Sequence, residues 1–140
     1  MQRVGVDEEE KYYVALGDDP AEIAEVRLAV RDIAVRGGFA DRASDLVLAL
    51  DEVIANAQEH GLPPIGISAW VDGRLVVEVS DVGNGFDRLH VWSTHPPERY
   101  GPRGRGLWIA RQLTDLVTIV TDPRGTTVRI ELSPDPHIGA

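Results

Sequence analysis

The hydrophobic pattern of this chain switches between periods of 3.6 and 2, and each switch falls at a turn signal. Ile23, Val26, Val30 and Ile33 recur at helical spacing up to Gly37-Gly38, where a helix has to stop. Its start is written in Asp19-Pro20-Ala21-Glu22: Asp19 can cap, Pro20 suits the first helical position, and Glu22 completes a capping box. A second helix is expected from Asp41 to His60, with Leu46, Val47, Leu50, Val53, Ile54 and Ala57 as its apolar stripe and Gly61 as its stop. Alternation then takes over. Ile65–Val71 and Arg74–Ser80 flank Asp72-Gly73, a favoured hairpin dipeptide. Gly104–Leu116 returns to helix, and Val117–Thr121 and Thr126–Leu132 flank the turn Asp122-Pro123-Arg124-Gly125. Lys11–Leu16 reads as a strand ahead of the first helix. Such an order buries its apolar faces by laying helices against a sheet. The expected fold is α/β, a two-layer sandwich of about five strands and three helices, with a mixed sheet and the helices on one face. No repeat or linker divides it, so a single domain over 1–140 is expected, with 1–9 and the Pro-rich 133–140 as flexible tails.

Charge narrows the function. The 140 residues carry 14 Lys+Arg against 23 Asp+Glu, a net charge of −9. That balance argues against a non-specific nucleic-acid binder, which needs a basic surface to release counterions. The distribution is uneven: residues 1–59 hold 14 acids and six bases, whereas 88–129 hold seven arginines and three acids. A local arginine cluster in an acidic chain suits a small anionic ligand or an acidic patch on a partner. No apolar run approaches the ~18–20 residues that cross a bilayer, and the N-terminal residues lack the apolar core of a secretory signal. With no cysteine there is no disulfide framework and no thiol nucleophile. A cytoplasmic protein with no membrane contact is expected.

Three separated motifs carry chemistry. Glu52 and Asn56, spaced i, i+4, share one face of the second helix with Asp45 and Glu59. The Asn56 amide oxygen is a suitable hard-cation ligand. Asp81-Val82-Gly83-Asn84-Gly85 follows a strand; its aspartate can accept hydrogen bonds from an exocyclic amino group, and Gly83 and Gly85 permit positive φ and close approach of a flat ligand. Gly101-Pro102-Arg103-Gly104-Arg105-Gly106-Leu107 opens a helix, where free N–H groups and glycines make an anion site. This is not a Walker loop, because the chain's one lysine is Lys11, and no strand leads into it as a dinucleotide fingerprint requires. His90, His95 and His137 lack the neighbours of a zinc site.

Together the three motifs suit a magnesium-bound adenine nucleotide, and the set resembles the GHKL (Bergerat-fold) ATPase superfamily. Glu52-x-x-x-Asn56 is similar to its N box, Asp81-x-Gly83-x-Gly85 to its first glycine box, Gly104-x-Gly106-Leu107 to its second, and Gly125-Thr126 to its terminal Gly-Thr. The match runs from about Asp19 to Leu132. Within the superfamily, Asp51-Glu52, Asn56-Ala57 and His60-Gly61 resemble the N-box helix of anti-sigma-factor serine kinases of the RsbW and SpoIIAB type, and Phe86 to Arg103 resembles their nucleotide lid. The resemblance implies that ATP and Mg²⁺ bind, with Asp81 on the adenine amino group, Thr126 on the base through water, and Asn56 on the metal. It implies that Gly83 and Gly85 lie against the nucleotide, and that Gly104, Arg105, Gly106 and Leu107 line the phosphates. It makes Glu52 the general base toward a serine on a STAS-type anti-anti-sigma factor. A sigma factor is the second implied partner, and a homodimer is compatible with the type. A two-component histidine kinase is not expected, since no helical segment with its own phosphoacceptor histidine fits before Asp19. The reading from another class is a nucleotide-gated binding module that sequesters a partner without phosphotransfer.

Overall fold

The computed structural model describes residues 2–3, 11–83 and 106–134. Among the described residues, six strands and three α-helices follow in chain order: β1 (Gln2–Arg3), β2 (Tyr12–Leu16), α1 (Ala21–Arg36), a 3₁₀ turn (Ala40–Arg42), α2 (Ala43–His60), β3 (Ile65–Val71), β4 (Leu75–Asp81), α3 (Gly106–Leu113), β5 (Leu116–Asp122) and β6 (Gly125–Leu132). The strands form one sheet in the order β1-β2-β3-β4-β6-β5.

The two-layer α/β arrangement is as expected, but the strand directions are not mixed. Every described pairing is antiparallel. β4 and β5 do run the same way, as a crossover through α3 demands, yet β6 folds back between them. The hairpin β5–β6 therefore separates two strands whose connection would otherwise have made a parallel pair. The β3–β4 turn also differs from the two-residue expectation. Val71 pairs with Leu75, leaving Asp72, Gly73 and Arg74 as a three-residue loop, with Gly73 in the left-handed region at φ 71°. The strand β4 is thereby displaced one residue along the sequence and ends on Asp81 itself.

Both long helices start and stop for local reasons. Asp19 Oδ1 accepts the Ala21 N–H at 2.9 Å, and Pro20 already has helical angles. Glu22 reaches back to accept the Gly17 N–H at 2.9 Å, tying the helix start to the end of β2. At the other end Phe39 N–H bonds Ala34 O and Gly38 N–H bonds Val35 O, a Schellman closure with Gly38 at φ 92°. Helix α2 begins two residues later than expected because Ala40–Arg42 take the tighter 3₁₀ form.

Val26, Val30 and Ala34 of α1, Leu46, Leu50, Val53 and Ile54 of α2, and Leu107 and Ala110 of α3 pack on one face of the sheet. That face supplies Val14, Ile67, Ala69, Leu75, Val77, Val79, Val128 and Ile130, all at alternate strand positions. Val47, expected in the apolar stripe, is only half-buried. The opposite face covers itself with charge. Trp70 has Lys11 Nζ 4.3 Å and Arg129 Cζ 5.6 Å from its ring centre, Arg129 pairs with Glu78 at 2.7 Å, and Arg74 pairs with Glu131 at 2.9 Å.

Candidate functional site

Leu75, Val77 and Val79 point into the core, and the next position in that row is Asp81. A carboxylate at a core-facing position is unusual, and here it is buried at 6% exposure. It pairs across the ladder with Thr126, which is buried on the same side and whose hydroxyl lies 3.0 Å from that of Thr121. Asp81 Oδ1 accepts the Gly83 N–H at 2.8 Å.

Three glycines allow close packing around Asp81, and one of them, Gly61, lies against the carboxylate itself. A Cβ on Gly61 would overlap the Asp81 carboxylate carbon and come within 2.6 Å of both its oxygens. One on Gly125 would overlap the Asp81 carbonyl oxygen, and one on Gly83 would lie 2.9 Å from Gly61 Cα and Leu62 N. The Val82 N–H donates to Leu62 O at 3.0 Å, closing the loop after α2 onto the end of β4. Gly83 does not use the positive φ that a glycine permits: it lies outside the left-handed region, and what it supplies is space. Gly61 is the member that sequence reasoning missed as a site residue. It reads as a helix stop, but its angles (φ −97°, ψ −169°) suit any residue, so the stop alone does not require glycine.

Gly61 also joins this niche to α2. Asn56 is five residues before it, and Glu52 one turn earlier on the same face; both are half-buried. Asn56 Oδ1 and His60 Nε2 are buried atoms without a hydrogen-bond partner among the described residues, so each calls for an explanation. Asp45 and Glu59, the other acids of that polar stripe, are exposed.

Helix α3 approaches from the other side. Arg42, just before α2, donates to Leu113 O at 3.3 Å and pairs with Asp115 at 3.3 Å, so the start of α2 is pinned to the end of α3. The two packed helices therefore run antiparallel. Rising about 1.5 Å per residue, the start of α3 stands level with the middle of α2, one turn short of Glu52 and two short of Asn56. Gly106 opens α3, and the Leu107 side chain is buried in the core, which leaves its main chain as the part able to meet a ligand. Gly85, Gly104, Arg105, the stretch Phe86 to Arg103, and four of the seven clustered arginines lie outside the described residues. Among the others, Arg129 is engaged by Glu78 on the far face of the sheet and takes no part here.

Burial works to raise the Asp115 pKa, but the Ser133 N–H and the Arg42 guanidinium outweigh it and hold the carboxyl below its ordinary value. No helix among the described residues is long and apolar enough to cross a membrane.

A profile of the histidine kinase-like ATPase domain matches residues 16–132. Among solved structures, the RsbU and RsbW domains of Rv1364c from Mycobacterium tuberculosis are similar at TM-score 0.62 and 23% identity. That match covers 88% of this chain but only 32% of the other. The histidine kinase domain of the blue-light activated histidine kinase EL346 from Erythrobacter litoralis is similar at TM-score 0.50 and 21% identity, over 80% of this chain and 63% of that one. The histidine kinase AdeS of Acinetobacter baumannii is similar at TM-score 0.52 and 15% identity, over 86% and 66%. Among curated protein sequences, none is similar enough to count as a relative.

Proposed function

This chain belongs to the histidine kinase-like ATPase domain family, and from that premise we propose that it is an ATP- and Mg²⁺-dependent serine/threonine kinase that doubles as an anti-sigma factor. Its substrate in this reading is a STAS-type anti-anti-sigma factor, and its second partner a sigma factor. The observation that carries the nucleotide reading is the buried Asp81 carboxylate, seated against Gly61 at the end of a helix whose Asn56 amide oxygen is buried without a partner among the described residues. The likeness to the RsbW-containing structure supports the choice of protein kinase within the family.

In this reading Asp81 accepts the exocyclic amino group of adenine, and the Gly83 amide fixes which carboxylate oxygen faces it. Thr126 meets the base through water. Glycines at 83 and 85 let the base lie against the main chain. An orphaned amide oxygen is a fitting hard-cation ligand, so Asn56 holds Mg²⁺. Gly104, Arg105, Gly106 and the Leu107 main chain meet the phosphates at a helix start. When bound, the cation neutralises charge on the transferring phosphoryl oxygens. Glu52, one turn from Asn56, accepts the proton of the partner's serine hydroxyl as that oxygen bonds to the γ-phosphorus and the bond to the ADP oxygen breaks.

The test is incubation of the protein with labelled ATP, Mg²⁺ and STAS proteins. Label on a STAS serine, lost in Glu52→Ala while nucleotide affinity stays within about threefold, is the expected result. Nucleotide binding with partner capture but no label would establish the non-catalytic, nucleotide-gated module instead.

A further inference from the structure

The two edges of the sheet are guarded differently. An open edge offers a row of unpaired N–H and C=O groups to any strand that lies beside it, and proteins blunt such edges with devices such as shortness, proline and lysine. β1 is two residues long and carries Arg3. β5, at the opposite edge, has seven residues, with no proline, glycine or lysine and no charge before Asp122. Among the described residues it pairs with β6 alone. Its apolar side chains on the face away from the helices, Leu116 and Val120, are 51% and 59% exposed, and Thr118 between them is exposed too. Ile119, on the helix-facing side, is only half-buried.

The residue order of this strand says what fits beside it. Two antiparallel copies, related by a two-fold axis normal to the sheet, keep their side chains on matching faces when the axis passes through a residue. An axis at Thr118 sets Leu116 opposite Val120 on the outer face and Val117 opposite Ile119 on the inner one. Apolar then meets apolar throughout 116–120, except at the central threonine pair. The same register sets Asp115 opposite Thr121 and Asp122 opposite Thr114, so no acid faces an acid in a chain of net charge −9. An axis at Ile119 would set Leu116 against Asp122, and one at Val117 would set Asp115 against Ile119. We propose that β5 is a self-association edge, along which a second copy of this chain pairs antiparallel about Thr118 and continues the sheet. The helices of both copies then lie on one side of the joined sheet. This assignment is independent of the nucleotide reading.

Sedimentation equilibrium of the full chain should show a reversible dimer at roughly micromolar protein. Because Thr118 is exposed, Thr118→Lys and Thr118→Glu should fold as the wild type does, which thermal melting checks. Each sets like charges face to face on the axis and should weaken association by about tenfold or more. An equimolar mixture of the two should recover the dimer, since lysine then meets glutamate across the axis. The chain has no cysteine, so Thr118→Cys carries a single thiol, and mild oxidation should join two copies by a disulfide. Val35→Cys, exposed on the outer face of α1, should stay unlinked. A monomeric wild type overturns the proposal. So does a dimer that Thr118→Lys leaves intact, which would put self-association on another surface. A wild type that stays monomeric while its β5 amides slow in exchange beside an extended segment of another protein would give the edge a different occupant and overturn it as well.

Discussion

At Gly61 the backbone would accept any residue, and the space would accept none. A methyl group there would occupy the volume of the Asp81 carboxylate. Gly61→Ala should therefore cost stability through overpacking, about 1–3 kcal/mol, and should weaken ATP binding at least tenfold by displacing the carboxylate. Urea unfolding and calorimetry together check both figures, and an alanine variant with wild-type affinity would show that the carboxylate does not need its present seat. Asp81→Asn leaves the volume nearly unchanged but replaces an acceptor by a mixed donor and acceptor. It should abolish the preference for ATP over GTP, measurable by competition. At this scale the sequence was partly legible. Asp81, Asn56 and Glu52 stand out as polar residues at defined spacing, and Gly83 as glycine beside an aspartate. Gly61 did not stand out, because one glycine after a helix is explained by the helix alone, and only the packed structure reveals the carboxylate behind it.

Among the elements, helix α3 is held by contacts distant in sequence. Arg42 holds its last carbonyl and pairs with Asp115, which in turn accepts the Ser133 N–H at 2.7 Å. These groups are about one-third exposed, so Arg42→Ala should cost less than about 1 kcal/mol. Its pH dependence has a definite sign. The folded Asp115 carboxyl has a lowered pKa, so the unfolded chain binds more protons between that value and the ordinary value of 3.8. The contribution is complete above about pH 5 and disappears as pH falls through the lowered value. Wild type and Asp115→Asn should thus differ in urea stability at pH 7, and the difference should shrink as the pH falls below 3.8. A difference that stayed constant over that range would contradict the assignment. The helices and hairpins themselves could be read from period and turn residues to within three residues, the largest miss being the end of α3 at Leu113 rather than Leu116, which opens β5. The direction of pairing in the sheet could not, because it is decided by β6 entering between β4 and β5, a contact that no local pattern encodes. Nor could the Arg42 clasp, whose partners are more than 70 residues apart.

For the molecule as a whole, one face of the sheet carries the helices and the candidate site, and the other is covered by the Lys11–Trp70–Arg129–Glu78 group. The arginine-rich charge segment of the sequence is accordingly divided, with Arg129 serving the covered face rather than an anion. The histidine kinase-like ATPase family was legible in the motifs, while their proposed convergence on one nucleotide draws on the antiparallel packing of α2 on α3 and the closure of Leu62 onto Val82. That convergence is the central claim, and hydrogen–deuterium exchange of the full chain with and without Mg²⁺–ATP tests it directly. The account predicts that amides in 52–61, 81–83 and 106–110 slow together and saturate at the same nucleotide concentration. Slowing confined to one of these segments, or distinct saturation points for them, would contradict it.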